Sequence, residues 1–516
     1  MNWINSKLKY PYVQGFIFLS IIIGLFFFLG YHKIFFLKPF GVHFMRQTDS
    51  LSFASNYFKN GFHFFKPQLY NLKNIDGMAA CEFPLTYYIT AILYTIFGKH
   101  IFIQKLLHLI IIYFGIYSIF KLSNYILKDF TYSILISLIV FTSTVFNYYS
   151  FNYLPDIPAL GFIFMGWFFI YKYQVNKKTL TLLLSFLFFS LGSLIKVTYL
   201  INPIAIIVLS CFSLIFHKKN PLLENSKIIL IIGFISLLPI ILWNIYVLQF
   251  NTLYKSHSFN TKAFPIWKLN HERIMVIWDY ITNYWYNSYF SKSVFRLIYA
   301  LSLFQFIYNK KSDKKIFIQI LFLFLGSLTY FILFYHQFKD HDYYFLAFFP
   351  LILLILINGI KTLQNITQKN LFHIVVKLIL LLVIAAGINH SQNKIEKRQV
   401  YKIDNYSRAG LLINENYESI KNLNLDSKAK FIVAPDLCQN GGLFFLDREG
   451  WNIEKPEQIT LEIIKEYNKQ GADYLLLVSS DESILTHGEQ LGKLILKRNE
   501  INIFKLNKDI VSNKAQ

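Results

Sequence analysis

His43-Phe44-Met45-Arg46-Gln47-Thr48-Asp49-Ser50 is a short polar island directly after the first long apolar run, at 16–29. An Asp beside an Arg at the lip of a membrane helix is a costly place for charge unless the pair has a task. Asp49 is therefore the candidate catalytic centre.

The composition supports a membrane setting. Of the 516 residues 54% are hydrophobic and only 16% charged, with 54 Phe, 35 Tyr and a mean hydropathy of +0.40, far more apolar than an ordinary soluble chain. In a soluble protein the net charge of +22 would suggest nucleic acid. Here much of the Lys falls between apolar runs, where it orients helices and meets anionic lipid, so no nucleic-acid partner is expected. Cys81, Cys211 and Cys438 show no metal-ligand spacing and imply neither a zinc site nor a disulfide framework. Lys7 and Lys9 before the first run look like a signal peptide, but no small-residue cleavage site follows. The run reads as an uncleaved anchor with a cytoplasmic N-terminus.

Eleven runs reach roughly the 15 to 20 residues needed to cross a bilayer: 16–29, 101–120, 131–146, 158–171, 180–194, 199–216, 228–247, 294–308, 316–334, 344–360 and 371–388. The shorter segment 85–97, opened by Pro84, decides the handedness of everything downstream. If it lies along the interface, Lys121, Lys128, Lys177, Lys178, Lys218, Lys219, Lys227, Lys310, Lys311, Lys314, Lys315, Lys361 and Lys369 all fall on the cytoplasmic side. If it spans, all fall outside, against the positive-inside rule. The first choice puts residues 31–84, 148–155, the turn at Lys196, 250–292, 336–342 and the tail on one extracytoplasmic face. All the unusual polar residues share that face.

After about residue 389 the composition becomes an ordinary soluble mix. Helical patterns at 407–422 and 459–470 alternate with strand patterns at 430–434, 474–478 and 501–504, which suggests a small α/β domain. The expected fold is a polytopic α-helical membrane protein of about 11 transmembrane helices, residues 1–389, with a small C-terminal α/β extracytoplasmic domain, residues 390–516.

Five positions carry the candidate chemistry, and each has a plainer reading. An ionised Asp49 can take a proton from an acceptor hydroxyl, or it can cap a helix after Thr48. Glu82 opens the interfacial segment, where the following Pro and aromatics are what any interfacial helix start shows. Asp156, between Pro155 and Pro158, brings a second acid to the same face or fixes a tight turn. Lys196 can snorkel to headgroups or hold a phosphate as it leaves. Within Tyr335-His336-Gln337-Phe338-Lys339-Asp340-His341-Asp342-Tyr343-Tyr344, the spacing of His336, Asp340 and His341 admits a divalent cation, a hydrated turn, or phosphate and sugar binding, which we prefer. No cofactor is otherwise required, and no Gly-rich phosphate loop is present.

In order, Asp49 after the first run, Glu82 with Pro84-Leu85 and paired tyrosines, Pro155-Asp156, the small-residue turn ending in Lys196, and His341-Asp342-Tyr343-Tyr344 followed by Pro350 resemble the GT-C membrane glycosyltransferases of family 39, the protein mannosyltransferase and aminoarabinose transferase type. The resemblance covers about residues 10–360 and lies in the order and common face of the motifs. It implies transfer of a sugar from a polyprenyl-phosphate donor to a lipid, glycan or protein acceptor, with inversion, in the bacterial inner membrane. By position it implies catalytic roles for Asp49, Asp156 and Glu82, and donor phosphate or sugar binding by Arg46, Lys196, Lys339, His341, Tyr343 and Tyr344. Many relatives carry a basic residue before the proline, where this chain has Phe83, so phosphate binding there falls to Arg46, Lys196 or Lys339. The alternatives are a lipid-linked oligosaccharide flippase, which would place ionisable residues at mid-membrane and often show inverted repeats, or a polysaccharide polymerase or ligase using a diphosphate-linked donor. Low Gly and Ala with high Phe, Ile, Lys and Asn suggest an AT-rich bacterial genome, which favours undecaprenyl over dolichyl.

Overall fold

Apolar runs become helices because a backbone in hydrocarbon must satisfy its own hydrogen bonds, and every one of the eleven runs lies in helical structure. The computed structural model describes residues 10–216, 226–259, 263–399 and 403–507. Lys7, Lys9, Lys218 and Lys219 lie outside the described residues. Among the described residues seven helices are long and apolar enough to cross a membrane, or nine if each of two bent pairs is one span. The expected eleven is therefore not reached, for local reasons. The helix Thr179–Ile195 has 17 residues, about 25 Å at 1.5 Å per residue, short of a hydrocarbon core of about 30 Å. The helix Asp156–Asn176 is long enough, at 21 residues, but its polar residues keep it out of the apolar set.

The chain folds into two compact units, one of residues 1–36, 105–244 and 262–398, the other of residues 37–104, 245–261 and 399–516. In the first unit, helix Phe102–Leu127 and helix Asp156–Asn176 pack backbone to backbone. A Cβ on Gly115 would stand 2.6 Å from the Cα of Gly161, so only glycine permits this approach. The run 131–146 is broken, with Phe130–Thr142 and Thr144–Ser150 meeting at 82°. Ser143 makes the break in an extended conformation, and its hydroxyl accepts from the Phe146 N–H at 3.2 Å. The last helix, Asn370–Arg398, runs without interruption through residue 389.

In the second unit the tail forms a five-stranded sheet from β1 (Phe431–Ala434), β2 (Gly450–Asn452), β3 (Tyr474–Val478), β4 (Gly492–Arg498) and β5 (Ile501–Leu506), in the order β2-β1-β3-β5-β4. β1 pairs in parallel with β2 and β3, and β5 pairs antiparallel with β3 and β4. β1, β3 and β5 are the strands expected from sequence. The helical pattern 407–422 resolves into Arg408–Glu415 and Tyr417–Lys421, and 459–470 into Leu461–Lys469. Leu85–Phe97 is a 13-residue helix whose buried residues Thr86, Tyr87, Thr90, Ala91 and Tyr94 form one face, the pattern of a helix lying against a surface.

Residues of the tail pack on the 37–104 segment within this unit. Asn440 Nδ2 donates to Ser52 Oγ at 2.5 Å, and its Oδ1 accepts from the Tyr70 N–H at 3.0 Å. Asn71 Nδ2 donates to the Asn452 side chain at 2.8 Å, and the Phe44 and Phe445 rings stack at 5.8 Å.

Candidate functional site

Helix Phe44–Lys59 opens at His43, whose backbone is left-handed at φ 57°. Asp49 therefore lies in the helix, past its first turn, and is not the cap. Its side chain is 7% exposed. Arg46, one turn earlier, places Nη1 3.6 Å from Asp49 Oδ2, the i,i+3 geometry a helix offers. Arg46 Nη2 also donates to both oxygens of Glu82, at 2.7 and 3.0 Å, and its guanidinium lies over the Phe259 ring at 5.0 Å. Tyr87, on the face that Leu85–Phe97 buries, donates its hydroxyl to Glu82 Oε1 at 2.5 Å.

Burial raises Asp49 from the usual carboxylate range to about 7; Arg46 pulls it down and Glu82 pushes it up. A carboxyl balanced there exchanges its proton near neutrality, as a general base must. The structure thus brings Arg46, Asp49 and Glu82 together, and adds Tyr87, one of the paired tyrosines of the motif but given no role there, and Phe259, which the sequence reading missed.

The second group belongs to the other unit. Asp156 lies in the first turn of its helix, after Pro155, where the helix dipole favours an acid. Lys196 is the extended residue that separates Thr179–Ile195 from Val197–Leu200. Its ammonium lies 3.1 Å from Asp156 Oδ1 and over the rings of Tyr343 and Tyr344, at 4.8 and 5.4 Å. The Tyr199 hydroxyl donates to the Asp156 carbonyl at 3.1 Å. His341 stacks on Tyr343 at 5.4 Å and on Tyr344 at 5.8 Å. An ammonium held over two phenol rings is a ready partner for an anion.

Lys339 has other company. Its Nζ is 3.4 Å from Asp340 and lies over Tyr280 at 5.3 Å, and its carbonyl accepts from Trp285 Nε1 at 2.8 Å. His336 lies 3.3 Å from the Arg273 guanidinium, and burial together with Arg273 lowers its pKa. Among the described residues no three His, Cys, Asp or Glu side chains gather as a metal would require.

Arg398 also escaped the sequence reading. At the end of the last helix, its Nη1 meets Asp342 Oδ2 at 2.7 Å, and the guanidinium lies over Tyr148 and Trp285, at 5.5 and 5.7 Å. Tyr149 donates to Asp342 Oδ1 at 2.6 Å and meets Tyr343 edge to face at 5.5 Å. The only sequence signal was a basic residue closing an apolar helix, which reads equally as an interfacial anchor.

Residues 82–246 match the family described as dolichyl-phosphate-mannose-protein mannosyltransferase. The fold is similar to that of ArnT from Cupriavidus metallidurans, with a TM-score of 0.61 for its apo state and 0.59 for its complex with undecaprenyl phosphate. In both cases the identity is 10%, over 96% of this chain and 98% of that chain. The apo oligosaccharyltransferase of Archaeoglobus fulgidus is similar at a TM-score of 0.50 and 11% identity, over 89% of this chain and 69% of that one. Among curated proteins none matches the sequence. The chain has the GT-C fold that the order of its polar motifs implied.

Proposed function

We propose that this chain is a membrane glycosyltransferase moving a hexosyl or pentosyl group from a polyprenyl-phosphate donor to a lipid, glycan or protein acceptor. The observation that carries the reading is Asp49, a buried carboxyl balanced near pH 7 between Arg46 and Glu82. In this reading Asp49 accepts the acceptor's hydroxyl proton as that oxygen bonds to the anomeric carbon. The bond from that carbon to the phosphate oxygen breaks, and its electron pair leaves with the phosphate. Glu82 fixes Arg46, and Arg46 sets the charge state of Asp49. Within the other unit, Lys196, paired with Asp156 and lying over Tyr343 and Tyr344, is the candidate contact for the donor's phosphate. Attack opposite to departure inverts the anomeric centre.

The match to ArnT bound to undecaprenyl phosphate supports a polyprenyl-phosphate carrier. The lysine distribution supports an extracytoplasmic site and tail in a bacterial inner membrane. A flippase is disfavoured because Asp49 lies inside a short polar helix, Glu82 in a connecting segment and Asp156 at a helix start, none of them in the middle of an apolar span. The test is transfer by purified protein in detergent from a synthetic polyprenyl-phosphate sugar, with Asp49→Asn as the comparison. Transfer that vanishes in a folded Asp49→Asn protein supports the reading; an active variant overturns the role, and a requirement for a membrane gradient would favour transport. Mass spectrometry of the co-purified lipid identifies the carrier and separates a monophosphate from a diphosphate-linked donor.

A further inference from the structure

Helix Phe44–Lys59 has two packed faces. Arg46, Ser50 and Phe53 turn to Glu82 and Tyr87: Arg46 donates to Glu82, Ser50 Oγ lies 3.3 Å from the Tyr87 hydroxyl, and the Phe53 ring stacks on Tyr87 at 5.4 Å. Phe44, Thr48 and Ser52, spaced i, i+4, i+8 and so on one face, are all buried and turn to the tail. At about 100° per residue Asp49 falls between the two faces.

The tail meets Phe44, Thr48 and Ser52 with one stretch, residues 436–445, which runs from the end of β1 into helix Gly441–Leu446. The Phe445 ring stacks on Phe44, Cys438 Sγ lies 3.6 Å from Thr48 Oγ1, and Asn440 Nδ2 donates to Ser52 Oγ. A Cβ on Gly441 would stand 2.8 Å from Cys438 Sγ and 2.9 Å from the Phe44 ring, so the seat is full. Asp436 fixes the stretch from within. Its carboxyl accepts from the N–H groups of Cys438 at 3.0 Å and Gly442 at 2.8 Å, and its carbonyl accepts from Asn452 Nδ2 at 2.8 Å.

The seat bears on Asp49 by excluding water. Burial is the largest cause of the raised Asp49 pKa, ahead of Arg46, which lowers it, and Glu82, which raises it. From the tail, Cys438 is close enough to feel the acid: burial pushes its thiol up, and Asp436 and Asp49 add to the push. A loosened seat would let water reach the Asp49 carboxyl and return it toward the ordinary carboxylate range. We infer that residues 436–445 are a positioning element for Asp49, seating Phe44, Thr48 and Ser52 and so keeping water from the turn that carries the acid. That this acid is the base of sugar transfer rests on the glycosyltransferase reading; that the tail sets its surroundings does not.

The experiment is modification of Asp49 by dicyclohexylcarbodiimide, which reacts with the protonated carboxyl, in the full-length protein in detergent. Mass spectrometry of the Asp49 peptide follows the reaction across pH, with neither donor nor acceptor present. Cys438→Ala, which opens the Thr48 contact, and Gly441→Ala, which pushes Phe44 aside, should each move the midpoint to lower pH by at least about half a unit. Cys438→Ser, whose hydroxyl can still meet Thr48, should return the midpoint toward that of the unmodified protein. Ile464→Val trims the tail core away from the seat and should leave the midpoint in place, so destabilisation of the tail alone does not mimic the effect. An unmoved midpoint or no modification of Asp49 in both seat variants, or an equal shift in Ile464→Val, overturns the proposal. Sugar transfer by Asp49→Asn would remove the base and leave the positioning intact; loss of transfer there with unmoved midpoints here would do the reverse.

Discussion

The Arg398 guanidinium meets the Asp342 carboxylate at 2.7 Å, with the acid fully buried and the base nearly so. Removing one member of such a pair strands a charge without solvent, which costs about 3–5 kcal/mol. Arg398→Met should lower the thermal unfolding midpoint in detergent sharply. Arg398→Met combined with Asp342→Asn should regain much of the loss, because no charge is then left unpaired. Equal midpoints for the single and double variants would show that the pair carries no such load.

Asp49 predicts a pH dependence whose sign follows from burial. Its pKa in the fold, about 7, lies above its ordinary value, so the folded state holds the proton more tightly than the unfolded chain does. Stability should decline as pH rises from about 4 to about 7 and be level above. In the proposed reaction transfer needs the ionised form and should climb over the upper part of that window. Arg46→Gln removes the cation that favours the carboxylate and should move the activity limb to higher pH, as a pH–rate profile of the purified protein would reveal.

For Lys196 the expected effect is on the donor. Lys196→Met removes the ammonium over Tyr343 and Tyr344 and should weaken binding of undecaprenyl phosphate by at least about tenfold, one charge-assisted contact being worth about 1.5–3 kcal/mol. Lys196→Arg should recover part of the affinity. Tryptophan-quenching titrations with the lipid phosphate measure both; unchanged affinity in Lys196→Met would remove the residue from phosphate binding.

Asn440 joins the tail to the first loop segment through Ser52 and Tyr70. Asn440→Ala leaves a buried backbone N–H unpaired and should destabilise this unit by about 1–3 kcal/mol. Hydrogen exchange should then rise in residues 44–72 as well as in the tail. A rise confined to the tail would mean that the two segments open independently.

Much of this was readable from the chain. Hydrophobic runs announced the apolar helices because solvation by lipid is a local demand, met segment by segment, whereas the polar helix Phe44–Lys59 lay in a stretch read as a loop. Asp49, Glu82, Asp156 and Lys196 stood out because each interrupts an apolar context. What stayed hidden depends on partners distant in sequence. Arg398 acquires meaning only beside Asp342, Tyr87 only beside Glu82, and Ser52 only beside Asn440, 388 positions away. β2 is three residues long and β4 is an edge strand with mostly exposed or half-buried residues, so neither shows a periodicity. Among the described residues seven to nine helices pass as apolar spans against the eleven expected where a helix bends or falls short, since composition records apolar length and not the break at Ser143.

The sheet-bearing unit is assembled from three stretches of chain, 37–104, 245–261 and 399–516. At about 5–20 residues per second, a ribosome needs some 15–60 s after finishing the first stretch to reach the third. Throughout that interval Phe44, Ser52, Tyr70 and Asn71 lack the tail residues they are shaped to receive. The nascent protein therefore passes through a long adolescence in which helix Phe44–Lys59 is unsupported, and a truncated message would yield a chain with its membrane helices made and the helix that carries Asp49 unmoored.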